Sequence, residues 1–347
     1  MKAAVVTRWG ELKVMEVPEP KIGPFEALVR TKACSLCNGT DTKIIAGHLP
    51  WVTEKNLPGI LGHESVGEVI EVGSAVKNLK VGDRTFRPGG PVEGFGSCWG
   101  GFAEYGRVAD VKALAEHPEA PLPPHASDPM LDIIPPDVDD EDASIAITMK
   151  ETLSWLGKFR VPFGSTIAVS GVGPVALSFI SQCKLLGALR VFALGRRDEA
   201  AERALQFGAD HFINVTRGDP AARVRKLNEG RLIDRGIEAV GSFEAMILLK
   251  NLLAEPGGEL GLYGTMDHVA VPDAAALRDM FIYSSQDTSI RFVRADESAA
   301  HKQVMEMIAR GQLKPKEFIT HRLPLERIHE GLALVKSRKA IKVVIQM

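Results

Sequence analysis

The chain has 347 residues, 45% of them hydrophobic and 25% charged, which is length enough for about two domains that each bury a core. Its 42 basic and 44 acidic residues leave a net charge of −2, and that balance gives no reason to expect a nucleic-acid or membrane-surface partner. Cys34, Cys37, Cys98 and Cys183 are too few and too scattered for a disulfide framework in a chain this long. The apolar run at residues 1–6 is too short for a signal peptide. The longest one, 166–180, is broken by Gly171, Gly173 and Pro174 and cannot be a membrane span. A cytoplasmic protein is expected.

Residues 1–110 read as short β-type runs (3–6, 27–30, 68–72, 107–108) joined by glycine and proline turns, which predicts an antiparallel or barrel-like unit. Residues 88–101 are rich in glycine and contain Gly94-Phe95-Gly96, a look-alike of a phosphate loop. No apolar strand leads into it and no helical period follows, so it reads as a plain loop. Seven prolines between 116 and 138 suit an extended excursion better than a helix or a central strand. A helical stretch starts near residue 143.

After residue 164 the rhythm changes. Strand-like 166–170, helix-like 175–186, strand-like 190–194 and helix-like 198–207 follow one another, then strand-like 211–215, 237–240 and 259–263. Alternation of this kind predicts an α/β fold with a doubly wound parallel sheet. Helices are expected at 299–310 and 325–336. A last strand at 340–346 is placed to return to the first domain. The domain reading is therefore 1–155, completed by about 295–347, with 156–294 as the nucleotide-binding domain.

Gly171-Val172-Gly173-Pro174-Val175-Ala176 follows a strand and opens a helix, the setting in which a G-x-G-x-x-G/A pattern binds a dinucleotide. Gly171 makes the tight turn, Gly173 lets a pyrophosphate approach the backbone, and free N–H groups of the helix start face the phosphates. The next strand ends Gly195-Arg196-Arg197. An acid there would bind the ribose of NAD, whereas arginines suit the extra phosphate of NADP, so NADP is favoured over NAD. The alternative is that both arginines are merely solvated and that Asp198 or Glu199 reaches back to bind NAD.

Cys34-Ser35-Leu36-Cys37 is a C-x-x-C that by itself fits a redox pair or half of a structural zinc site. No second C-x-x-C exists. His63-Glu64, set among Gly62, Gly67 and Gly73, adds an imidazole and a carboxylate. One cysteine with a histidine and a carboxylate is the mixed ligand set of a catalytic zinc that keeps a position open for water or substrate.

On these residues the chain resembles the zinc-dependent medium-chain dehydrogenase/reductase superfamily, more closely its polyol (sorbitol-type) and threonine dehydrogenase branches. Gly62-His63-Glu64-x-x-Gly67 with Gly73 and Val76 looks like the family's zinc signature. Val81-Gly82-Asp83-Arg84, Gly100-Gly101-Phe102-Ala103-Glu104-Tyr105, Glu238-Ala239-Val240-Gly241, Pro256-Gly257-Gly258 and the 320–326 segment are similar to further landmarks.

The resemblance implies a Rossmann domain beside a GroES-like, mostly β catalytic domain, and a zinc-containing NAD(P)-dependent alcohol or polyol dehydrogenase acting in the cleft between the domains. It implies Cys37 and His63 as zinc ligands, with Glu64 and Glu151 as carboxylates of the shell, and Val240 and Gly241 beside the cofactor. Thr40 is the hydroxyl that starts a proton relay, with His48 further along it. A homodimer or homotetramer is implied as well. Trp51, Trp99 and Phe102 are candidates for the substrate side, or for the core.

The chain departs from the pattern in three places. Cys37-Asn38-Gly39-Thr40-Asp41 is one residue longer than the usual Cys-x-Ser/Thr-Asp. Glycines and a single Cys98 replace the four-cysteine lobe of many relatives, so one catalytic zinc and no structural zinc are expected. Residues 116–135 look inserted, and His117 and His125 there read as loop residues. A zinc-free quinone or enone reductase of the same superfamily and a non-catalytic nucleotide-binding homologue are the competing readings.

Overall fold

The structure, a computed structural model, describes residues 1–123, 132–264 and 288–347. His125 and the prolines at 124 and 129 lie outside them. The chain forms two compact units, residues 1–147 with 301–347 and residues 148–300. The first dividing point falls inside one helix, Asp140–Phe159.

Eight strands precede that helix: β1 (Lys2–Arg8), β2 (Glu11–Glu16), β3 (Glu26–Ser35), β4 (Gly59–Ile60), β5 (Ser65–Val72), β6 (Arg84–Phe86), β7 (Gly96–Ser97) and β8 (Tyr105–Ala109). The second unit supplies β9 (Thr166–Ser170), β10 (Arg190–Gly195), β11 (His211–Asn214), β12 (Arg235–Glu238), β13 (Glu259–Leu262) and β14 (Ser289–Phe292). β15 (Ile319–Pro324) and β16 (Lys342–Gln346) close the chain.

The first unit has two sheets, in the orders β2-β1-β4-β7 and β15-β16-β3-β5-β6, with β8 also paired to β3. β3 is its centre. It is ten residues long, and the buried side chains of Ala27, Val29, Ala33 and Cys34 keep it between β5, β8 and β16. The final strand does return: Val344, Ile345 and Gln346 pair antiparallel with Ser35, Cys34 and Ala33. Its neighbour β15 runs parallel to it, joined through the helix Ile328–Lys336. The glycine-rich stretch is not loop throughout. Gly96 and Ser97 form a short strand parallel to Gly59 and Ile60, held by Gly96 N–H donating to the Pro58 carbonyl at 2.8 Å.

In the second unit the order is β11-β10-β9-β12-β13-β14, and every neighbouring pair is parallel. In order of appearance that is 3-2-1-4-5-6, the doubly wound arrangement, whose crevice opens beyond the carboxyl ends of the strands where the order reverses. β12 stops at Glu238 rather than reaching Val240. The Glu238 carboxylate accepts the N–H groups of Val240 and Gly241 at 2.8 and 2.9 Å and turns the chain away from the sheet. Trp155 is fully buried against Phe159, Phe179 and Tyr263, with ring centroids 4.7, 5.2 and 6.1 Å away. Gly261 is small because of it, since a Cβ there would lie 2.3 Å from the Trp155 ring. Truncating such an aromatic to alanine costs about 3–5 kcal/mol.

Candidate metal centre and nucleotide loop

Cys37 sits where β3 has ended and the helix Asp41–Ile45 begins. Two bonds register the turn: Leu36 N–H donates to the Val343 carbonyl at 2.9 Å, and Asp41 N–H to the Cys37 carbonyl at 2.9 Å. The side chain of Asp41 is wholly buried and uses both oxygens. Oδ2 accepts the Cys37 N–H at 2.8 Å, and Oδ1 lies 3.1 Å from His63 Nδ1. One carboxylate therefore holds the backbone of the cysteine and the ring of the histidine. It also selects the tautomer. With Nδ1–H donating to Asp41, Nε2 keeps its lone pair for a metal.

His63 and Glu64 are fixed from the other side. Gly62 has φ of 110°, and a Cβ on it would fall 2.5 Å from Phe102 N, so only glycine lets the pair sit against the 101–102 backbone. Arg87 donates to the His63 carbonyl at 2.7 Å, and the Trp99 ring lies 5.6 Å from the imidazole. Both residues have left-handed backbone, φ 55° and 68°, a conformation that costs on the order of 1–3 kcal/mol each and persists where packing imposes it.

The donor atoms of Cys37, His63 and Glu64 lie within 4.8 Å of one another. Sulfur, imidazole nitrogen and carboxylate oxygen are the donors of a catalytic zinc, so these residues fit that metal. Beneath them Lys342 forms a buried ion pair with Glu64, the side chains 2% and 5% exposed. Burial works against the Lys342 charge, but the negative groups of Glu64, Cys37 and Asp41 outweigh it and hold the ammonium above its ordinary range. Burial likewise opposes protonation of His63, and Asp41 with Cys37 overcomes it. Cys34, Cys98 and Cys183 are buried and outside the trio, and burial raises their thiols, that of Cys98 to about 12.

Thr40 and His48 stand at the two ends of the short helix Asp41–Ile45. Thr40 is half-buried, and its hydroxyl makes no capping bond. His48 is exposed beyond the other end. Glu151 is half-buried on Asp140–Phe159, belongs to the second unit and is not part of the trio. Phe102 is fully buried in the core of the first unit, and Trp51 is 59% exposed. His117 packs on Phe25 and pairs with Glu119, which makes it a loop residue.

The cofactor-loop residues converge within the second unit. β10, β9 and β12 are neighbours, so their carboxyl ends bring Gly195-Arg196-Arg197, Gly171–Val175 and Val240-Gly241 to one edge. Gly171 has φ of 97°, and a Cβ there would meet Val240 at 3.1 Å. Gly173 is the N-cap of the helix Pro174–Leu185, gives it no side-chain cap, and faces open space where a Cβ would meet nothing within 4 Å. Bare N–H groups at a helix start beside open space make a cradle that fits a pyrophosphate. Arg196 and Arg197 are exposed beside it.

Asp41, Lys342 and Arg87 were not singled out from the sequence. Asp41 carried a signal, an acid opening a helix four residues after a candidate ligand. Lys342 carried another, a lone cation between Ile341 and Val343 in a strand otherwise buried.

Residues 23–119 match the model of the alcohol dehydrogenase GroES-like domain, and residues 174–310 that of the zinc-binding dehydrogenase domain. The NADP-dependent isopropanol dehydrogenase of Thermoanaerobacter brockii is 30% identical over 75% of this chain and 74% of its own length. The sorbitol dehydrogenase of Bacillus subtilis is 28% identical over 99% and 97%. Among solved structures, alcohol dehydrogenase TADH from Thermus sp. ATN1 is 27% identical and superimposes with a TM-score of 0.79 over 100% of this chain and 99% of that one. With both domain models matched and relatives similar along its length, the chain belongs to the zinc-dependent medium-chain dehydrogenase/reductase superfamily.

Proposed function

We propose that this protein moves a hydride between a primary or secondary alcohol or a polyol, or the matching ketone or aldehyde, and a nicotinamide dinucleotide, with one catalytic zinc and NADP preferred to NAD. The observation that carries the reading is the trio Cys37, His63 and Glu64, buried or half-buried and held from behind by Asp41 and Lys342. The relatives' substrates, isopropanol and sorbitol, support the alcohol class.

Cys37 and His63 would be the two fixed donors of the shell, with a carboxylate, Glu64 or Glu151, to complete it. Zinc in this shell supplies Lewis acidity toward the substrate oxygen, and the nicotinamide supplies the hydride chemistry. The chain's own task is to hold donors and move a proton. Asp41 keeps His63 in the ligating tautomer. The Thr40 hydroxyl, not spent on capping its helix, would accept and pass the proton of the alcohol, with His48 further along the relay. In the second unit the free N–H groups of Gly173 and Val175 would hold the pyrophosphate, and Arg196 and Arg197 would take the extra phosphate of NADP. Assembly as a homodimer or homotetramer in the cytoplasm is part of the same proposal and rests on the family alone.

Zinc content per chain of wild type and of Cys37→Ala, followed by a panel of alcohols with NADP and NAD, tests the reading. About one zinc, lost in the variant, with turnover of a secondary alcohol or polyol is expected. A folded wild type without zinc and without turnover overturns it. Zinc affinities of Glu64→Gln and Glu151→Gln then assign the third ligand.

A further inference from the structure

The geometry points to Arg217 as a residue that sets dinucleotide preference, by engaging Asp198 and so removing the acid that an NAD site would use. The inference rests on the proposed dinucleotide site and explains its selectivity. An acid beyond the second strand of a doubly wound sheet accepts the ribose 2′-hydroxyl of NAD. Here that strand is β10, which ends at Gly195, and the acids that follow are Asp198 and Glu199.

Asp198 is already occupied. Its Oδ1 accepts from Asn214 Nδ2 at 2.7 Å, and its Oδ2 lies 2.5 Å from the Arg217 guanidinium. Asn214 is fixed in turn, because its Oδ1 accepts both the N–H and the hydroxyl of Thr216, at 3.0 and 2.7 Å. That orients the amide so that its NH₂ faces Asp198. Asn214 is also the register partner of Gly195, and Val215 N–H donates to the Gly195 carbonyl at 2.8 Å, so the platform is part of the sheet edge.

The circuit gives Asp198 two partners on the β11 side and offsets its charge. Arg196 and Arg197 on the same edge stay exposed. Arg203 adds to the positive field; burial and then the proximity of Arg197 hold it below its ordinary range. Asp198 and Arg217 are 45% and 69% exposed, so the ion pair alone is weak. Its effect on preference comes from what it masks, a carboxylate that would repel a phosphate and welcome a diol.

The test is the dissociation constants of NADP⁺ and NAD⁺, read by calorimetry on the purified zinc-loaded protein. The chains compared are wild type, Arg217→Ala, Arg217→Lys, Asp198→Asn and the double variant Arg217→Ala with Asp198→Asn. Wild type is expected to bind NADP⁺ more tightly. Arg217→Ala should move the NADP⁺/NAD⁺ ratio toward NAD⁺ by roughly tenfold, the equivalent of one hydrogen bond to a charged group, with part of the change a gain in NAD⁺ affinity itself. Arg217→Lys should restore the wild-type ratio. In the double variant the gain for NAD⁺ should vanish. An unchanged NAD⁺ affinity in Arg217→Ala overturns the inference while leaving the dinucleotide site intact, and so does a gain that survives Asp198→Asn. A wild type that binds neither nucleotide, or NAD⁺ more tightly, removes the cofactor reading and the inference with it.

Discussion

The metal trio of the first unit is held by side chains, and the nucleotide loop of the second by backbone. Around Cys37, His63 and Glu64 the supporting groups are a buried carboxylate, a buried ammonium and a guanidinium, contributed by residues 41, 342 and 87. Around Gly171 and Gly173 the support is a strand order, a helix start and the absence of Cβ atoms. A side-chain site fails when one partner is removed and leaves a buried charge behind. A backbone site tolerates loss of side chains and fails when something is added. Mutations that delete and mutations that add should therefore separate the two.

The largest effect is expected from deletion of a ligand. Cys37→Ala or His63→Ala should abolish zinc binding and lower kcat/KM by on the order of 10³-fold or more, the scale of Lewis-acid stabilisation; metal analysis with steady-state kinetics checks it. Next comes Lys342→Met, which leaves Glu64 buried without its ammonium and should cost about 3–5 kcal/mol of stability. Urea unfolding of Lys342→Met beside the double variant with Glu64→Gln checks this, because the second change should recover most of the loss. If the double variant is no more stable than the single, the pair is not what holds that floor.

Addition is the smaller perturbation. Gly173→Asp meets no atom with its Cβ, so the thermal midpoint should stay within about a degree or two, in line with a surface change of no more than about 0.5 kcal/mol. Its carboxylate would face the pyrophosphate, and dinucleotide affinity should fall by roughly tenfold to a hundredfold. Unchanged affinity would mean that the loop is not the phosphate site.

The smallest effect belongs to a residue outside both sites. Burial, with Asp139 beside it, raises the Asp142 carboxyl to about 6. Its folded value lies above its unfolded one, so its ionisation destabilises the fold as pH rises from about 4 through about 6. Asp142→Asn should gain about 1–2 kcal/mol above pH 7 and nothing below pH 4, read from unfolding midpoints across that range.

The same contrast explains what could be read from the chain. The second unit was legible because a glycine pattern in a strand–helix frame is local, and strands 166–170, 190–194 and 259–263 fell within a residue of their observed bounds. Helices Pro220–Leu227 and Phe243–Leu252 were not foreseen. Each is short; the first starts at Pro220 behind the capping side chain of Asp219, and the second is marked by the capping side chain of Ser242. In the first unit the residue types of the trio were legible, but their supports were not. Lys342 meets Glu64 only because β16 comes back beside β3, a contact 278 positions apart that no local pattern encodes. The turn after Glu238 was missed for the opposite reason, a carboxylate bonding the N–H groups two and three residues on.

The return of β16 also imposes an order of assembly. Among the described residues, every strand pairing of the second unit lies between residues 166 and 292, so its sheet has all its members once that stretch has left the ribosome. The first unit does not. Until residues 342–346 emerge, the Ala33–Ser35 end of β3 lacks β16 as its antiparallel partner, and Glu64 lacks the Lys342 ammonium. The nascent chain thus carries a finished nucleotide sheet in the middle of an open-edged one, and open strand edges are where chains pair wrongly with each other. Loss of the last strand would harm the metal site and the solubility of the first unit together, and would leave the second unit's fold intact.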